Sequence, residues 1–379
     1  MNQELRYVPV LRCRQQENIV LKSFNFGKHI YPCIEITKEI DRLPQPPGKN
    51  AKKSTVPKAL KKFEEVYVTL VTSIKAEKVF VDLPVHINYK GKDKARLNFF
   101  TTVIRSRAKR TEYMEKLSAL NTKVIPVIST YAEITNERGS LQLQEQHLRS
   151  TFKILAFRTF MKTFHRDYAQ IKEIIKKTDY LIMDWEDITL DLTDDDQFEI
   201  VSDLQKLNCT VITLRNSFPI DITNSGLEHG KKIDQIDNTL PTIFQKYNSS
   251  AFADYCGIKK DALTSGGVSS PGAIYYDAAD NEFYGFRYKF GSHKLGDKKP
   301  DLQEFVTTIV PAILKCDATK RMQKHHLDFL GLDNIGWKMI NDISDGKELG
   351  RSAAKFKRIA IEHYLHCIKK KIENGDFET

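Results

Sequence analysis

Seven charged residues that close short apolar runs carry most of the chemistry open to this 379-residue chain. They are Arg12 (YVPVLR), Glu35 (IYPCIEI), Asp82 (KVFVDL), Arg158 (FKILAFR), Asp184 (YLIMDW), Arg215 (TVITLR) and Asp254 (SAFADY). Brought together, they would set four carboxylates against three guanidinia. Carboxylates crowded in a low dielectric repel one another, so one would take a raised pKa unless a cation sat among them. A protonated carboxyl serves as a general acid, a divalent ion activates water, and planar guanidinia grip phosphate oxygens in pairs. Glu35, Asp82, Asp184 and Asp254 are therefore candidate catalytic residues, with Asp82 and Asp184 as candidate ligands for magnesium or manganese. Arg12, Arg158 and Arg215 are candidate phosphate-binding groups. The reaction these residues point to is metal-assisted hydrolysis of a phosphodiester or nucleotide. The same charges could instead pair into a structural layer that closes the mouth of a barrel. Asp184, Glu186 and Asp187 (DWED) form the sharpest local acidic cluster, whereas Asp194 to Asp196 read as a solvated helix N-terminus.

Such residues meet only if the elements beneath them form one sheet that closes. Eight strand candidates occur in order: 7–12, 30–36, 78–83, 123–129, 152–158, 180–185, 210–215 and 250–255. Helix candidates separate them, among them 15–24, 95–120, 141–150, 163–178, 196–207 and 237–247, with 302–316 as a closing helix. Continuous apolar strands alternating with helices imply a parallel sheet covered on both faces. Eight of them favour a (β/α)8 barrel over an open doubly wound sheet, and a barrel places all strand C-termini on one rim. Pro9, Pro32 and Pro126 share the pattern apolar, proline, apolar, which suggests a repeated bulge near strand starts.

The barrel is expected over residues 1–316, with 256–300 as a loop and β-hairpin insertion after the eighth strand. Residues 317–379 read as a basic helical extension packed on the barrel, with Phe356, Ile359, Ala360, His363, Tyr364, Cys367 and Ile368 at helical spacing. The segment 264–272 (TSGGVSSPG) could cradle phosphate but matches no phosphate-loop motif, and reads better as a linker. The hairpin interleaves aromatic and basic residues that could stack bases, although strand propensity explains the same aromatics.

Fifty-nine Lys and Arg against 49 Asp and Glu give a net charge of +10, which favours polyanionic partners. The densest positive run spans residues 90–110, next to lysines at 49, 52, 53 and 58. Lys90, Lys92, Lys94 and Arg96, with Arg287 and Lys289 of the hairpin, are candidate nucleic-acid contacts. A non-catalytic binding or sensing role is the alternative to hydrolysis. Composition is 41% hydrophobic and 28% charged, that of an ordinary globular chain. No signal peptide or run of about 20 apolar residues is present, so a cytoplasmic protein without membrane partners is expected. The six cysteines show no metal-site spacing and read as buried free thiols, and the histidines show no HExxH pattern.

The ordered set YVPVLRCRQQE, IYPCIEI, VFVDLP, an arginine ending strand five, LIMD and ADYCGI resembles the phage and prophage beta-protein family over most of residues 6–316. The resemblance implies site roles for Arg14 and Glu17 beside Glu35, Asp82, Arg158, Asp184 and Asp254, with Arg14 joining the phosphate-binding set. It also implies a place in phage–host conflict, in a prophage or antiviral defence setting, with a phage protein or defence component as partner. It specifies no reaction.

Overall fold

The computed structural model describes residues 4–39, 61–86, 94–260, 271–288 and 301–377. Eight parallel strands close into a barrel: β1 (Tyr7–Arg12), β2 (Cys33–Glu35), β3 (Val79–Asp82), β4 (Val124–Ser129), β5 (Ala156–Phe160), β6 (Tyr180–Asp184), β7 (Thr210–Leu214) and β8 (Ala251–Asp254). Closure is made by β8 on β1, with Phe252 opposite Tyr7 and Asp254 opposite Pro9. The other flank of β1 pairs Arg12 with Glu35, and Glu35 in turn with Asp82. Three charged strand ends thus lie side by side.

Alternation along each strand divides the barrel into an inside and an outside. Val8, Val10, Cys33, Phe80, Ile125, Val127, Ala156, Tyr180, Ile182, Ile212, Leu214, Ala251 and Ala253 form a buried cluster of their own. Residues of opposite parity, such as Leu11, Ile34, Val81 and Phe252, join the outer core beneath the helices. The interior is therefore an apolar plug, and any polar site must sit above it at the C-terminal mouth.

Several local expectations change. β5 begins four residues later than expected and extends past Arg158 to Phe160, because Phe152 and Leu155 belong to the outer core before the strand. The prolines do not bulge. Pro9 and Pro126 lie in register with Asp254 and Val81, and the Pro32 carbonyl still accepts from Phe80 N at 2.9 Å. Proline removes only its own donor from the ladder. The expected helix at 237–247 is a single turn, Leu240–Ile243, followed by a 3-10 turn, and the closing helix opens with a π-type turn at Phe305–Ile309.

After β8, strands β9 (Gly272–Asp277) and β10 (Glu282–Arg287) form an antiparallel hairpin, edged by the short strand Lys231–Lys232. Tyr275, Tyr276, Phe283 and Phe286 of the hairpin are buried and cannot stack bases, while Tyr284 and Tyr288 are half-buried. Tyr275 stacks instead on His363 with ring centroids 4.6 Å apart. His363 lies on the C-terminal helix Ala353–Glu373, whose expected apolar face from Phe356 to Ile368 is buried throughout. The helix Ile335–Ser344 crosses it at Gly336, where a side chain would come within 2.5 Å of the Ile359 carbonyl. All six cysteines are free thiols, and no helix among the described residues is long and apolar enough to cross a membrane.

Candidate active site at the barrel mouth

The strand alternation that fills the barrel with apolar residues ends each inward row on a polar one. Val10 is followed inward by Arg12, Cys33 by Glu35, Phe80 by Asp82, Ala156 by Arg158, Ile182 by Asp184 and Ala253 by Tyr255. These six side chains meet over the plug. Arg158 is the hub: Nη1 donates to Glu35 Oε1 (3.1 Å) and Asp82 Oδ2 (2.8 Å), and Nη2 donates to Asp184 Oδ2 (2.7 Å) and Tyr255 OH (3.2 Å). Arg12 Nε donates to Glu35 Oε2 at 3.0 Å. Glu35 and Asp82 are wholly buried, and Arg158 and Asp184 are 1% exposed.

A third arginine enters from outside the barrel. Arg110, on the helix Arg107–Glu115, donates to Asp82 Oδ1 at 2.9 Å and to the carbonyls of Leu83 and Val127. Gln144 accepts from its Nη1 at 2.7 Å. Arg110 is therefore a buried structural cation and not part of the surface field that the run 90–110 suggested. In the same run Arg107 pairs with Glu137 and Lys109 with Glu112.

Burial alone would raise the Glu35 pKa, but Arg12, His86 and Arg158 outweigh it and hold the carboxyl well below its ordinary range. Asp184 is likewise lowered against burial by Arg158 and Lys260. Glu35 and Asp184 are thus ionised, and neither is kept protonated as the general acid that crowding alone would produce. Asp82 and Asp184 also do not suit a metal. Both oxygens of Asp82 hold guanidinium groups, while Asp184 Oδ2 holds Arg158 and Oδ1 accepts from Glu186 N at 2.9 Å. A divalent ion bridging the two would have to displace a guanidinium from Asp82. Among the described residues, the three ligating groups that come together are His165, Glu199 and Asp203 on the outer helices, and Lys206 already occupies Asp203 at 2.7 Å.

The mouth residues that sequence reasoning missed are His86, Tyr255 and Lys260. His86 follows β3 with Nε2 in a long contact of 3.5 Å to Glu35 Oε1, and among the described residues neither ring nitrogen makes a closer bond. Burial and the nearby Arg158 charge push its pKa down to about 4, so it is a neutral imidazole at pH 7. Lys260 is half-buried with its ammonium 4.8 Å from the Tyr255 ring centroid, and stays charged despite burial because Tyr255, Asp184 and Glu35 favour the cation. Burial and Glu35 push the Tyr255 phenol up to about 12. Four cations (Arg12, Arg110, Arg158, Lys260) thus face three carboxylates, leaving the described mouth one positive charge in surplus.

Two candidates do not reach the mouth. Asp254 and Arg215 have the parity that points outward. Asp254 accepts from Tyr7 OH (2.6 Å), Cys256 N (2.7 Å) and Tyr364 OH (2.5 Å) between the barrel wall and the C-terminal helix. Arg215 donates to the Ile188 carbonyl and to Asp237 Oδ2 at 2.6 Å. The DWED cluster is also split: Asp184 faces in, Trp185 is buried in the outer core, Glu186 adopts a left-handed φ of 56° and Asp187 is exposed. Arg14 is half-buried at the start of the helix Gln15–Ser23, and the buried Glu17 pairs with Lys357 of the C-terminal helix at 2.9 Å.

Of the candidate nucleic-acid contacts, Lys90, Lys92 and Lys289 lie outside the described residues, as do the lysines at 49, 52, 53 and 58 and most of 264–272. Lys94 opens the helix Lys94–Arg105, Arg96 is half-buried in it, and Arg287 donates to the Ser225 carbonyl. Arg96 and Arg287 thus belong to elements distinct from the mouth network.

No curated protein matches the chain. A family model described as Beta protein matches residues 7–369, from the first barrel strand through nearly all of the last helix. The interval takes in both the mouth residues and most of the C-terminal helix, and on that match the chain belongs to the beta protein family.

Proposed function

We propose that the barrel mouth binds a phosphoryl-bearing anion, a nucleotide or phosphodiester, and hydrolyses it with arginine and histidine in place of a metal. The observation that carries this reading is the convergence of Arg12, Arg158, Lys260 and the imidazole of His86 over a closed apolar plug, where four cations face three carboxylates among the described residues. Guanidinium and ammonium groups held by buried acids are fixed before the ligand arrives, which is how a preorganised site stabilises developing charge. Neutral His86 can orient the attacking water and take up its proton once a bound phosphate anion offsets the burial and the Arg158 charge that push its pKa down to about 4. We place this activity in phage–host conflict, on the strength of the family resemblance.

Binding without turnover is the second reading. It is favoured by the same saturation, since a mouth whose acids are all engaged can recognise phosphate with no chemistry.

Titration of the full chain with inorganic phosphate, beside an assay on bis(p-nitrophenyl) phosphate, separates the outcomes. Arg12→Met and Lys260→Met should each weaken phosphate binding by about tenfold, the value of one charge-assisted contact. His86→Gln should abolish cleavage at nearly unchanged affinity. Phosphate binding without cleavage selects the second reading, and unchanged affinity in both cation variants removes both.

A further inference from the structure

We propose that the C-terminal helix is a working part of the mouth, with Tyr364 acting as a positioning residue for Tyr255 through Asp254. The inference rests on the mouth being the phosphate site proposed above. Along β8 the inward residue Tyr255 is flanked by two residues whose groups are clamped outside. Asp254 takes the Tyr364 hydroxyl on Oδ2, and the Tyr7 hydroxyl and Cys256 N–H on Oδ1.

Immediately after Tyr255 the backbone runs through two consecutive left-handed residues, Cys256 (φ 58°) and Gly257 (φ 64°). Cys256 carries a side chain in a region that side chains disfavour, so surrounding contacts must hold it there. Cys256 is held by its N–H to Asp254 Oδ1 (2.7 Å) and its Sγ to the Val10 carbonyl (3.7 Å), and the Tyr364 ring closes on the next residue, where a side chain at Gly257 would lie 2.6 Å from it. Tyr364 thus bears on both ends of the turn, by its hydroxyl before Tyr255 and by its ring after it.

On the inner side, Tyr255 OH donates to Glu35 Oε1 (3.3 Å) and accepts from Arg158, while its ring faces Lys260. A shift of the turn would move this phenol and, with it, the two cations that it seats. Misplacement of about an ångström is enough to degrade a preorganised site. Tyr364 itself touches none of the mouth groups, which makes its role indirect.

The test uses the full chain with 3-fluorotyrosine placed at position 255 and read by fluorine NMR, beside titration with inorganic phosphate. Tyr364→Phe keeps the ring against Gly257 and removes only the hydroxyl, so the fold survives. It should move or broaden the fluorine resonance and weaken phosphate binding about tenfold. His363→Gln is the control. It cuts the contact of the neighbouring residue with the Tyr276 carbonyl (2.9 Å) and should lower Tm while leaving resonance and affinity in place. An unmoved resonance in Tyr364→Phe overturns the clamp whatever happens to affinity, and so does a resonance that His363→Gln moves equally. A moved resonance in a protein that never binds phosphate leaves the clamp standing and removes the phosphate reading instead.

Discussion

Two buried polar clusters meet at the end of β8, one on each side of the same strand, and they are built on opposite principles. Among the described residues the mouth sets three carboxylates against four cations and leaves His86 only a long contact of 3.5 Å to Glu35. The clamp outside the wall gives a single carboxylate, Asp254, two phenols and an amide, with no cation in contact. Burial therefore raises the Asp254 pKa, whereas arginine lowers those of Glu35 and Asp184. Acidification acts in opposite senses on the two. Protonating Asp254 favours the folded state, and protonating Glu35 or Asp184 opposes it. Charge surplus and spare hydrogen-bonding capacity belong to the mouth, while the clamp is self-satisfied and only holds.

The largest difference should appear when each cluster loses its central donor. Arg158→Met strips Asp184 of its guanidinium, leaves Glu35 to Arg12 and Asp82 to Arg110, and should cost about 3–5 kcal/mol, the range for breaking a buried ion pair by removing one partner. Tyr364→Phe removes one hydroxyl of three donors and should cost about 1 kcal/mol. Urea unfolding of both variants at pH 7 compares them directly. Equal costs would mean that the mouth network is not a coupled unit. Variants at Asp82 or Asp184 carry the same risk of unfolding, so cations nearer the opening are the better probes of function.

The fold was legible because fully buried parallel strands appear as apolar runs that no surface strand would tolerate. The mouth was legible in part. Arg12, Glu35, Asp82, Arg158 and Asp184 close their runs with inward parity, but Arg215 and Asp254 close theirs with the other. On a strand buried on both faces the two parities look alike, since Leu214 and Phe252 are equally apolar. A stricter reading would have used small residues: Ala251 and Ala253 mark the crowded interior, which makes Tyr255 the inward residue of β8. Arg110 and Gln144 left no local signal, because a charged residue on an amphipathic helix looks solvated until the facing strand end supplies its partner. His86 stood in a turn with no motif around it.

A middle-sized effect should come from two histidines, one at each cluster. His86, half-buried in the mouth, and His363, buried beside the clamp, both have pKa values pushed down to about 4. In the unfolded chain each titrates near 6.5. The unfolded state therefore binds more protons between these values, so the stability each histidine contributes is present above pH 6.5 and is lost as pH falls towards 4. The loss amounts to roughly 3 kcal/mol per histidine over that window. His86→Gln and His363→Gln should each reduce by that amount the stability lost between pH 7.5 and 4.5, measured by urea unfolding. If only His363→Gln does so, His86 takes up its proton in the folded mouth, and its place as the neutral base fails.

The smallest effect is expected from divalent metal, and it bears most directly on what the mouth is for. A ligand that binds only the folded chain raises its stability as RT ln(1 + [L]/Kd), so millimolar magnesium or manganese held at micromolar affinity would raise Tm by several degrees. Here every oxygen of Asp82 and Asp184 is already engaged by a guanidinium or a backbone amide. Exchanging such a contact for a metal bond would release a buried cation beside the incoming one, at a repulsive cost. Thermal melts with and without either ion should therefore agree within about 1 °C. A rise of several degrees that disappears in Asp184→Asn would show that the guanidinia yield their acids to a metal, and would return the mouth to metal-assisted chemistry.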